Sequence, residues 1–577
     1  GSLLLLQSLV CQFFLLIRMY IISWNVAGLS PLTNRIHSSY NPPVSSDKKS
    51  ASKVPPSVAL QNFMTRHGAD VFCLQEHKIP RKQLSSRSEP RGCSTVEGYE
   101  SFWSCCVDKN KRGLNGVVTY ARKGLVVSAD SSPLGSKDLD EQGRCVMTDH
   151  GNFVLFNVYV PASGGQPLAY KMKFLQALRR AMAKQRKQNK PVILVGDLNI
   201  KHTVLDRPWK DRLIYVDTIL NEVASPGSNL DETFPLWKRQ LAQAWPKICK
   251  VLETKRAVPK TTTNPRTGET FDKFRLTVTV DGRQVELGSH ERTEVSCDYY
   301  YDFTELFAID PETNQEFLAK EANVVCVHVL AELMSKIANI NWDMATQRLI
   351  SNTCGTIRQI DPPREWLDQI IQEDGMVDTF RHFFPTAEDR FTCWDQSSNR
   401  RYENIGVRLD YMLVDSCLLQ HVLKGDVPSL SCGRDGLDPL GKEAALCAAT
   451  ANGAFRPASF AGGGIGEAPQ KALDTQFASK HTGIIYTPPG FSDHVGVSLL
   501  LQDECCQRDL TLNEQDEATR KAQPHKTQPL MSSFISKPAD GTKRSASFSS
   551  TAEKFRSNVK KPKQQSIASY FNNGGMT

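Results

Sequence analysis

No C-x-x-C pair occurs among the sixteen cysteines of this 577-residue chain, and its closest pairs, Cys105 with Cys106 and Cys505 with Cys506, are adjacent residues. That spacing argues against a zinc knuckle and against a secreted disulfide framework, and fits scattered thiols in a reducing compartment. Long apolar runs are equally scarce. Leu3 to Ile17 is apolar like a signal-peptide core, but Gln7 and Gln12 interrupt it, and it falls short of the roughly 20 residues of a bilayer span. No Met precedes Met19, so residues 1–18 are expected to be an upstream extension, with a mitochondrial or other targeting segment as the alternative. No partner membrane is expected. Basic charge is lacking everywhere but at one end: the net charge is +8, yet residues 520–577 hold 11 Lys/Arg against Asp540 and Glu553, a surplus of 9, which leaves residues 1–519 at −1. Charge alone therefore gives no argument for nucleic-acid binding outside the tail.

What the chain does have is a series of short apolar runs that stop at polar residues. Val192-Ile193-Leu194-Val195 stops at Gly196, Asp197 and Asn199, which reads as a buried strand delivering polar groups to one edge of a sheet. In extended chain Asp197 and Asn199 project on the same side and could share a metal or a phosphate. Tyr20 to Val26 ends around Asn25, Asp70 to Gln75 ends in Glu76, and Val154 to Val160 carries Tyr159. Gly116 to Tyr120 is a further strand, while Val58 to His67 and Lys171 to Lys184 read as helices.

From residue 207 to about 359 no strand ends in such a cluster, and this stretch is expected to be a self-contained insertion. It contains Leu276 to Val280, Asp281-Gly282 and Arg283 to Leu287, an alternating hairpin with a type I′ turn, and a helix near Val327 to Ile340. The first pattern resumes at Glu365, passes Phe391 to Trp394, and opens a strand at Arg408-Leu409-Asp410-Tyr411. Residues 424–484, rich in Gly, Ala and Ser, are expected to form a second insertion. Its Gly462-Gly463-Gly464 lacks the preceding strand and the Lys-Ser/Thr of a phosphate loop. Asp493 and His494 then lead into a last strand, Val495 to Leu501. Residues 504–577 have the composition of a disordered basic tail.

The strand-end set is Asn25, Glu76, Tyr159, Asp197, Asn199, Asp410, Asp493 and His494. Carboxylates with amide oxygens make a hard site suited to Mg²⁺ or Mn²⁺, and metal, water-activating carboxylate and leaving-group acid are the parts that phosphodiester hydrolysis needs. Each member alone has a plainer reading: Asp197 as a turn cap, His494 as a satisfied buried histidine, Tyr159 as a core aromatic.

Seven motifs occur in a family's order: Trp24-Asn25, Leu74-Gln75-Glu76-His77-Lys78, Gly143-Arg144, Asn157-Val158-Tyr159-Val160-Pro161, Gly196-Asp197-Leu198-Asn199, Arg408-Leu409-Asp410-Tyr411 and Ser492-Asp493-His494. The set resembles the exonuclease III class of AP endonucleases, within the endonuclease/exonuclease/phosphatase superfamily, over residues 19–503 less the two insertions. The resemblance implies an α/β fold, a four-layered sandwich of two packed mixed sheets flanked by helices. It implies metal-side residues Asn25, Glu76, Asp197, Asn199, Asp493 and His494, with Glu76 the principal ligand and one or two ions. It implies that Asp197 activates or positions water, Asn199 holds the phosphate, Tyr159 contacts the scissile phosphate, and Asp410 orients His494 toward a phosphate oxygen. Ala27 and Ser30 depart from the family, which usually has Asp or Asn and Arg there. Where some relatives carry a tryptophan to stack on a flipped-out abasic site this chain has Val407, and Trp394 is the candidate replacement.

In the tail, Gln564, Ile567, Tyr570 and Phe571 have the spacing of a sliding-clamp-binding peptide, with Gln528, Met531 and Phe534 a looser second copy. A clamp peptide behind such a domain resembles the AP endonuclease 2 subfamily, many of whose members carry a C-terminal zinc finger that this sequence does not show. The implied substrate is double-stranded DNA with abasic sites or blocked or recessed 3′ ends, the implied partner the sliding clamp (proliferating cell nuclear antigen), and Lys543-Arg544 and Lys560-Lys561 suit a nuclear location. The alternatives are a superfamily phosphatase or tyrosyl-DNA phosphodiesterase, and a clamp-binding scaffold with a weakened nuclease.

Overall fold

The computed structural model describes residues 18–40, 56–84, 93–107, 113–162, 168–224, 234–253, 256–263, 270–287, 305–309, 316–320, 324–395, 405–425, 480–485, 487 and 490–502. The N-terminal stretch 1–17, the glycine cluster 462–464 and every clamp-peptide residue lie outside the described residues.

Eight strands precede residue 200: β1 (Arg18–Asn25), β2 (Val71–Gln75), β3 (Tyr99–Ser104), β4 (Val117–Arg122), β5 (Ser128–Asp130), β6 (Cys145–Asp149), β7 (Val154–Tyr159) and β8 (Val192–Asp197). Residues 213–326 contribute β9 (Leu213–Tyr215), β10 (Arg256–Thr263), β11 (Thr270–Val280), β12 (Arg283–Leu287), β13 (Glu305–Ile309), β14 (Glu316–Lys320) and β15 (Val324–Cys326). The last seven are β16 (Met376–Asp378), β17 (Cys393–Trp394), β18 (Gly406–Val407), β19 (Asp410–Asp415), β20 (Val422–Leu423), β21 (Gly483–Ile485) and β22 (Gly496–Gln502). Two large sheets result, one ordered β20-β22-β1-β2-β4-β3 with β21 beside β22, the other β16-β19-β8-β7-β6-β5. Both are mixed, since β1 and β2 run parallel, as do β7 and β8, amid antiparallel neighbours.

Strand alternation sorts the side chains into layers. Ile21 on β1, Ile193 and Val195 on β8, and Val497 and Leu499 on β22 fill the space between the sheets. The opposite faces pack on helices: Tyr20, Ile22 and Trp24 meet Leu32, Ile36, Phe63 and Met64 of helices Leu29–Tyr40 and Pro56–His67. Val192 and Leu194 meet Phe174, Leu178, Trp366 and Ile370 of helices Leu168–Arg186 and Pro362–Gln372. Helix, sheet, sheet, helix is the four-layered α/β sandwich implied by the motif set. Gln75 and Asn157 join the sheets through the core: Gln75 Nε2 donates to Asn157 Oδ1 at 2.8 Å, and Asn157 Nδ2 donates to the Val118 carbonyl at 3.0 Å.

Residues 213–350 build a core of their own, in which Leu241, Trp245 and Ile248 of helix Leu236–Glu253 pack with Leu330, Leu333 and Ile337 of helix Val327–Ala338. The β11–β12 hairpin closes through Asp281 (φ 49°) and Gly282 (φ 78°), both left-handed as a type I′ turn requires. Among the described residues, no helix is long and apolar enough to cross a membrane.

Candidate active site

Register brings the polar strand ends together. Asn25 ends β1 and Glu76 follows β2, its parallel neighbour. Tyr159 on β7 and Asp410 on β19 are both opposite Asp197 on β8, one on each side. Gly196 makes that approach possible. Its φ is +133°, and a Cβ there would stand 2.0 Å from the Val158 carbonyl oxygen, so only glycine allows β8 to lie this close to β7 just before Asp197.

Asn25 Nδ2 donates to Glu76 Oε1 at 3.0 Å and to Asp197 Oδ2 at 2.9 Å, while its own Oδ1 accepts from the Ala27 amide at 3.1 Å. In this arrangement Asn25 clamps two carboxylates rather than turning an oxygen toward them. Lys78 Nζ pairs with Glu76 Oε2 at 2.9 Å and donates to the Ala27 carbonyl at 3.1 Å. The Asn199 amide donates to Asp197 Oδ1 at 2.9 Å and its Nδ2 to Asp197 Oδ2 at 3.2 Å. These two residues do converge, but through a turn, with Asn199 at φ 51° and β8 ending at Asp197, and not through the extended alternation expected. Lys171, buried on its helix, holds that turn by donating to the Asn199 carbonyl at 2.7 Å.

His494 Nδ1 lies 2.8 Å from Asp410 Oδ2, and its Nε2 lies 3.9 Å from Asp197 Oδ2. Ligand atoms of Asp197, Asp410 and His494 all fall within 4.8 Å of one another. The backbone here is tied down as well: Trp24 Nε1 donates to the His494 carbonyl at 3.0 Å, and Ser492 Oγ donates to the Asn25 carbonyl at 2.7 Å and lies 3.2 Å from Asp493 Oδ1.

The electrostatics follow from burial and proximity. Burial pushes Asp197 up, opposed by the His494 charge and reinforced by Asp410. Burial works to raise Glu76 too, but the Lys78 ammonium and hydrogen bonds from Asn25, Lys78 and Tyr159 hold it below the ordinary carboxylate value. Burial likewise lifts Asp493, and burial with the Glu76 charge takes Tyr159 well above its ordinary value, so that its hydroxyl stays protonated and donates to Glu76. His494 is raised well above its ordinary value although burial opposes it; Cys393, Asp410 and Asp197 act in that direction. Burial takes the Cys393 thiol up to about 12, so it carries no charge at neutral pH, and the two carboxylates account for the lift.

All eight strand-end residues thus lie at one end of the sandwich. Trp394 does not serve as a stacking surface: it is 1% exposed, packed between the sheets with Phe391, Met412 and Val495. Several residues with no role assigned from sequence support the site. Lys78, Ser492 and Trp24 lay inside the quoted motifs. Arg144 lies 4.8 Å over the Tyr159 ring and donates to the Tyr159 carbonyl at 3.3 Å. Arg408 is the least expected: fully buried, its Nε donates to Asp206 Oδ1 at 2.7 Å and its Nη2 to Asp378 Oδ2 at 2.7 Å. Two buried acids around one guanidinium fix the residue two before Asp410.

Acids gather at the ends of both sheets of this four-layered sandwich, and residues 22–271 match the Endonuclease/Exonuclease/phosphatase family. Among curated proteins, the chain is similar to DNA-(apurinic or apyrimidinic site) endonuclease 2 of Mus musculus, 30% identical over an alignment of 224 residues that covers 32% of this chain and 39% of that one. It is also similar to the Exodeoxyribonuclease of Bacillus subtilis, 26% identical over 190 residues, 33% of this chain and 61% of that one. The chain therefore spans less than two thirds of the length of either relative. Among solved structures, the Xenopus laevis APE2 catalytic domain matches 70% of this chain and 86% of that one, with 19% identity and a TM-score of 0.36.

Proposed function

We propose that this chain is a Mg²⁺-dependent DNA repair nuclease of the AP endonuclease 2 kind. It hydrolyses phosphodiesters at abasic sites and at blocked or recessed 3′ ends, and trims 3′ to 5′. The observation that supports this most is the convergence of Asn25, Glu76, Asp197 and Asn199 on one side with the Asp410–His494 pair on the other. The donor set, carboxylates of Glu76 and Asp493 beside Asp197, is all oxygen and fits a hard divalent cation, Mg²⁺ or Mn²⁺. Bound there, such an ion supplies charge neutralisation for the phosphate.

The chain's own groups divide the remaining work. Asp197, fixed by Asn25 and by the Asn199 amide, orients the attacking water and accepts its proton. His494, kept cationic between Asp410 and Asp197, donates to a non-bridging phosphate oxygen through Nε2. Tyr159, its ring held under Arg144, presents a protonated hydroxyl at the phosphate. Glu76 gains its negative charge from Lys78 and Asn25, which is what a metal ligand requires. The tail peptide Gln564, Ile567, Tyr570 and Phe571 recruits the chain to the sliding clamp, and the basic dipeptides direct it to the nucleus.

Purified chain incubated with duplex DNA carrying an abasic site, and separately with a recessed 3′ end, tests the proposal. Cleavage is expected with Mg²⁺ and not with chelator, and Asp197→Asn is expected to lose it by several orders of magnitude, roughly 10³-fold or more. No metal-dependent cleavage of either substrate, or full activity in Asp197→Asn, would overturn the reading.

A further inference from the structure

Asp410 uses only one of its two carboxylate oxygens on His494. Oδ2 carries the 2.8 Å bond, while Oδ1, fully buried, has no hydrogen-bond partner among the described residues. Arg408 has a matching excess: Nε and Nη2 are engaged by Asp206 and Asp378, and the buried Nη1 has no partner among the described residues. An orphaned buried acceptor and an orphaned buried charged donor are each costly when left dry. Both residues line one small cavity with Thr379, Phe380, Ile484, Val497 and Ser498. The space accommodates one water, at the lower limit for hydration, about 10 Å³ for the water's centre. Thr379 Oγ1 and Ser498 Oγ each spend their proton on a backbone carbonyl, of Met412 at 2.9 Å and of His481 at 2.7 Å, and so retain acceptor capacity on this cavity.

We propose that a single structural water occupies this cavity, accepting from Arg408 Nη1 and donating to Asp410 Oδ1, and that Arg408 is thereby a positioning residue for the Asp410–His494 pair. The carboxylate cannot rotate about its Cβ–Cγ bond while both oxygens are engaged, one by imidazole and one by water. The arrangement extends rearward: Asp206 accepts from Arg408 and from Arg381 Nη2 at 2.6 Å, and the Arg408 amide donates to the Asp206 carbonyl at 3.0 Å. The imidazole is therefore held by a chain of Asp206, Arg408, water and Asp410 that touches no substrate.

Two measurements test this on the full chain, and the second rests on the nuclease reading while the first does not. A crystal structure at about 1.5 Å should show one well-ordered water within hydrogen-bond reach of both Arg408 Nη1 and Asp410 Oδ1. A dry cavity, or a direct Arg408–Asp410 ion pair, overturns the proposal whatever the chain's activity. Val497→Ile then places an extra methyl group in the cavity while Asp410, Arg408 and His494 themselves stay unsubstituted. Loss of the water should lower kcat on an abasic-site duplex roughly ten- to a hundredfold with KM unchanged, because a loosened Asp410 lets the imidazole drift. Unchanged kcat in a variant whose crystal structure lacks the water overturns the positioning role. A wild-type chain with no nuclease activity would sink the nuclease reading and leave the crystallographic result to decide the water.

Discussion

Asp197 and Asp410 stand opposite each other in the antiparallel register of β8 and β19, and His494 bridges the two acids, bonded to Asp410 through Nδ1 and facing Asp197 through Nε2. Removing the charge on Asp410 while keeping its shape separates orientation from packing. Asp410→Asn should fold with a near-normal melting temperature yet lose kcat by about a hundredfold or more, because the imidazolium loses the partner that orients it and stabilises its charge. Steady-state kinetics on an abasic-site duplex, read as kcat and KM separately, check this. A change confined to KM would show that Asp410 acts in binding instead.

Asp206 makes a prediction of a different kind, since it lies outside the reacting groups. It is fully buried, and burial would raise it, but the guanidinium groups of Arg408 and Arg381 hold it far below the ordinary carboxylate value. Asp206→Asn leaves the buried Arg408 guanidinium and the partly buried Arg381 guanidinium short of their counter-charge, a loss of about 3–5 kcal/mol. Urea unfolding at neutral pH measures it. A loss under about 1 kcal/mol would mean that Asp378 alone sustains Arg408.

His150 sets a pH dependence remote from the candidate metal ligands. Burial takes it down to about 4, and it is held neutral by stacking on Phe153, with Thr148 Oγ1 at 2.9 Å from Nε2. An unfolded histidine binds its proton near pH 6.5, so between about 6.5 and about 4 the unfolded chain is the better proton acceptor and stability falls as pH falls, by at most about 3 kcal/mol. Unfolding midpoints at pH 7 and pH 4.5 should differ less in His150→Gln than in the wild type. Equal differences would assign the acid sensitivity to other groups.

The tail is tested separately. Replacing Tyr570 and Phe571 together by Ala should abolish capture of the chain by immobilised sliding clamp while leaving cleavage of free DNA ends unchanged, because the aromatic pair fills the apolar pocket such peptides occupy. Capture that survives the double change would move the anchor to Gln528, Met531 and Phe534.

The sandwich and the site were legible to different depths. Buried strands such as β8 and β1 announce themselves as apolar runs, since both faces are covered. The strands β3 (Tyr-Glu-Ser-Phe-Trp-Ser) and β6 (Cys-Val-Met-Thr-Asp) are not legible as apolar runs because they interleave polar side chains. Helix Leu29–Tyr40 was hidden for a similar reason, with Ser, Pro and Asn along its length. At the site, residues that end a strand could be picked out, whereas Lys78, Arg144 and Arg408 could not be given roles, because what they do depends on partners 51, 15 and 202 positions away. The burial of Trp394 is not legible in the sequence. Its neighbours Phe391, Thr392 and Cys393 are as apolar or as buried as it is, and β17 faces it inward.

Leu213 and Thr356 exchange backbone hydrogen bonds in both directions, at 3.0 and 2.9 Å. This bridge lies at the base of the segment whose described residues build the separate core. Asp206 lies just before that bridge with its own grip on Arg408. Such a junction lets the appended module lengthen, shrink or change its surface over evolutionary time while the distance between Asp197 and Asp410 is set elsewhere, by the pairing of β8 with β19.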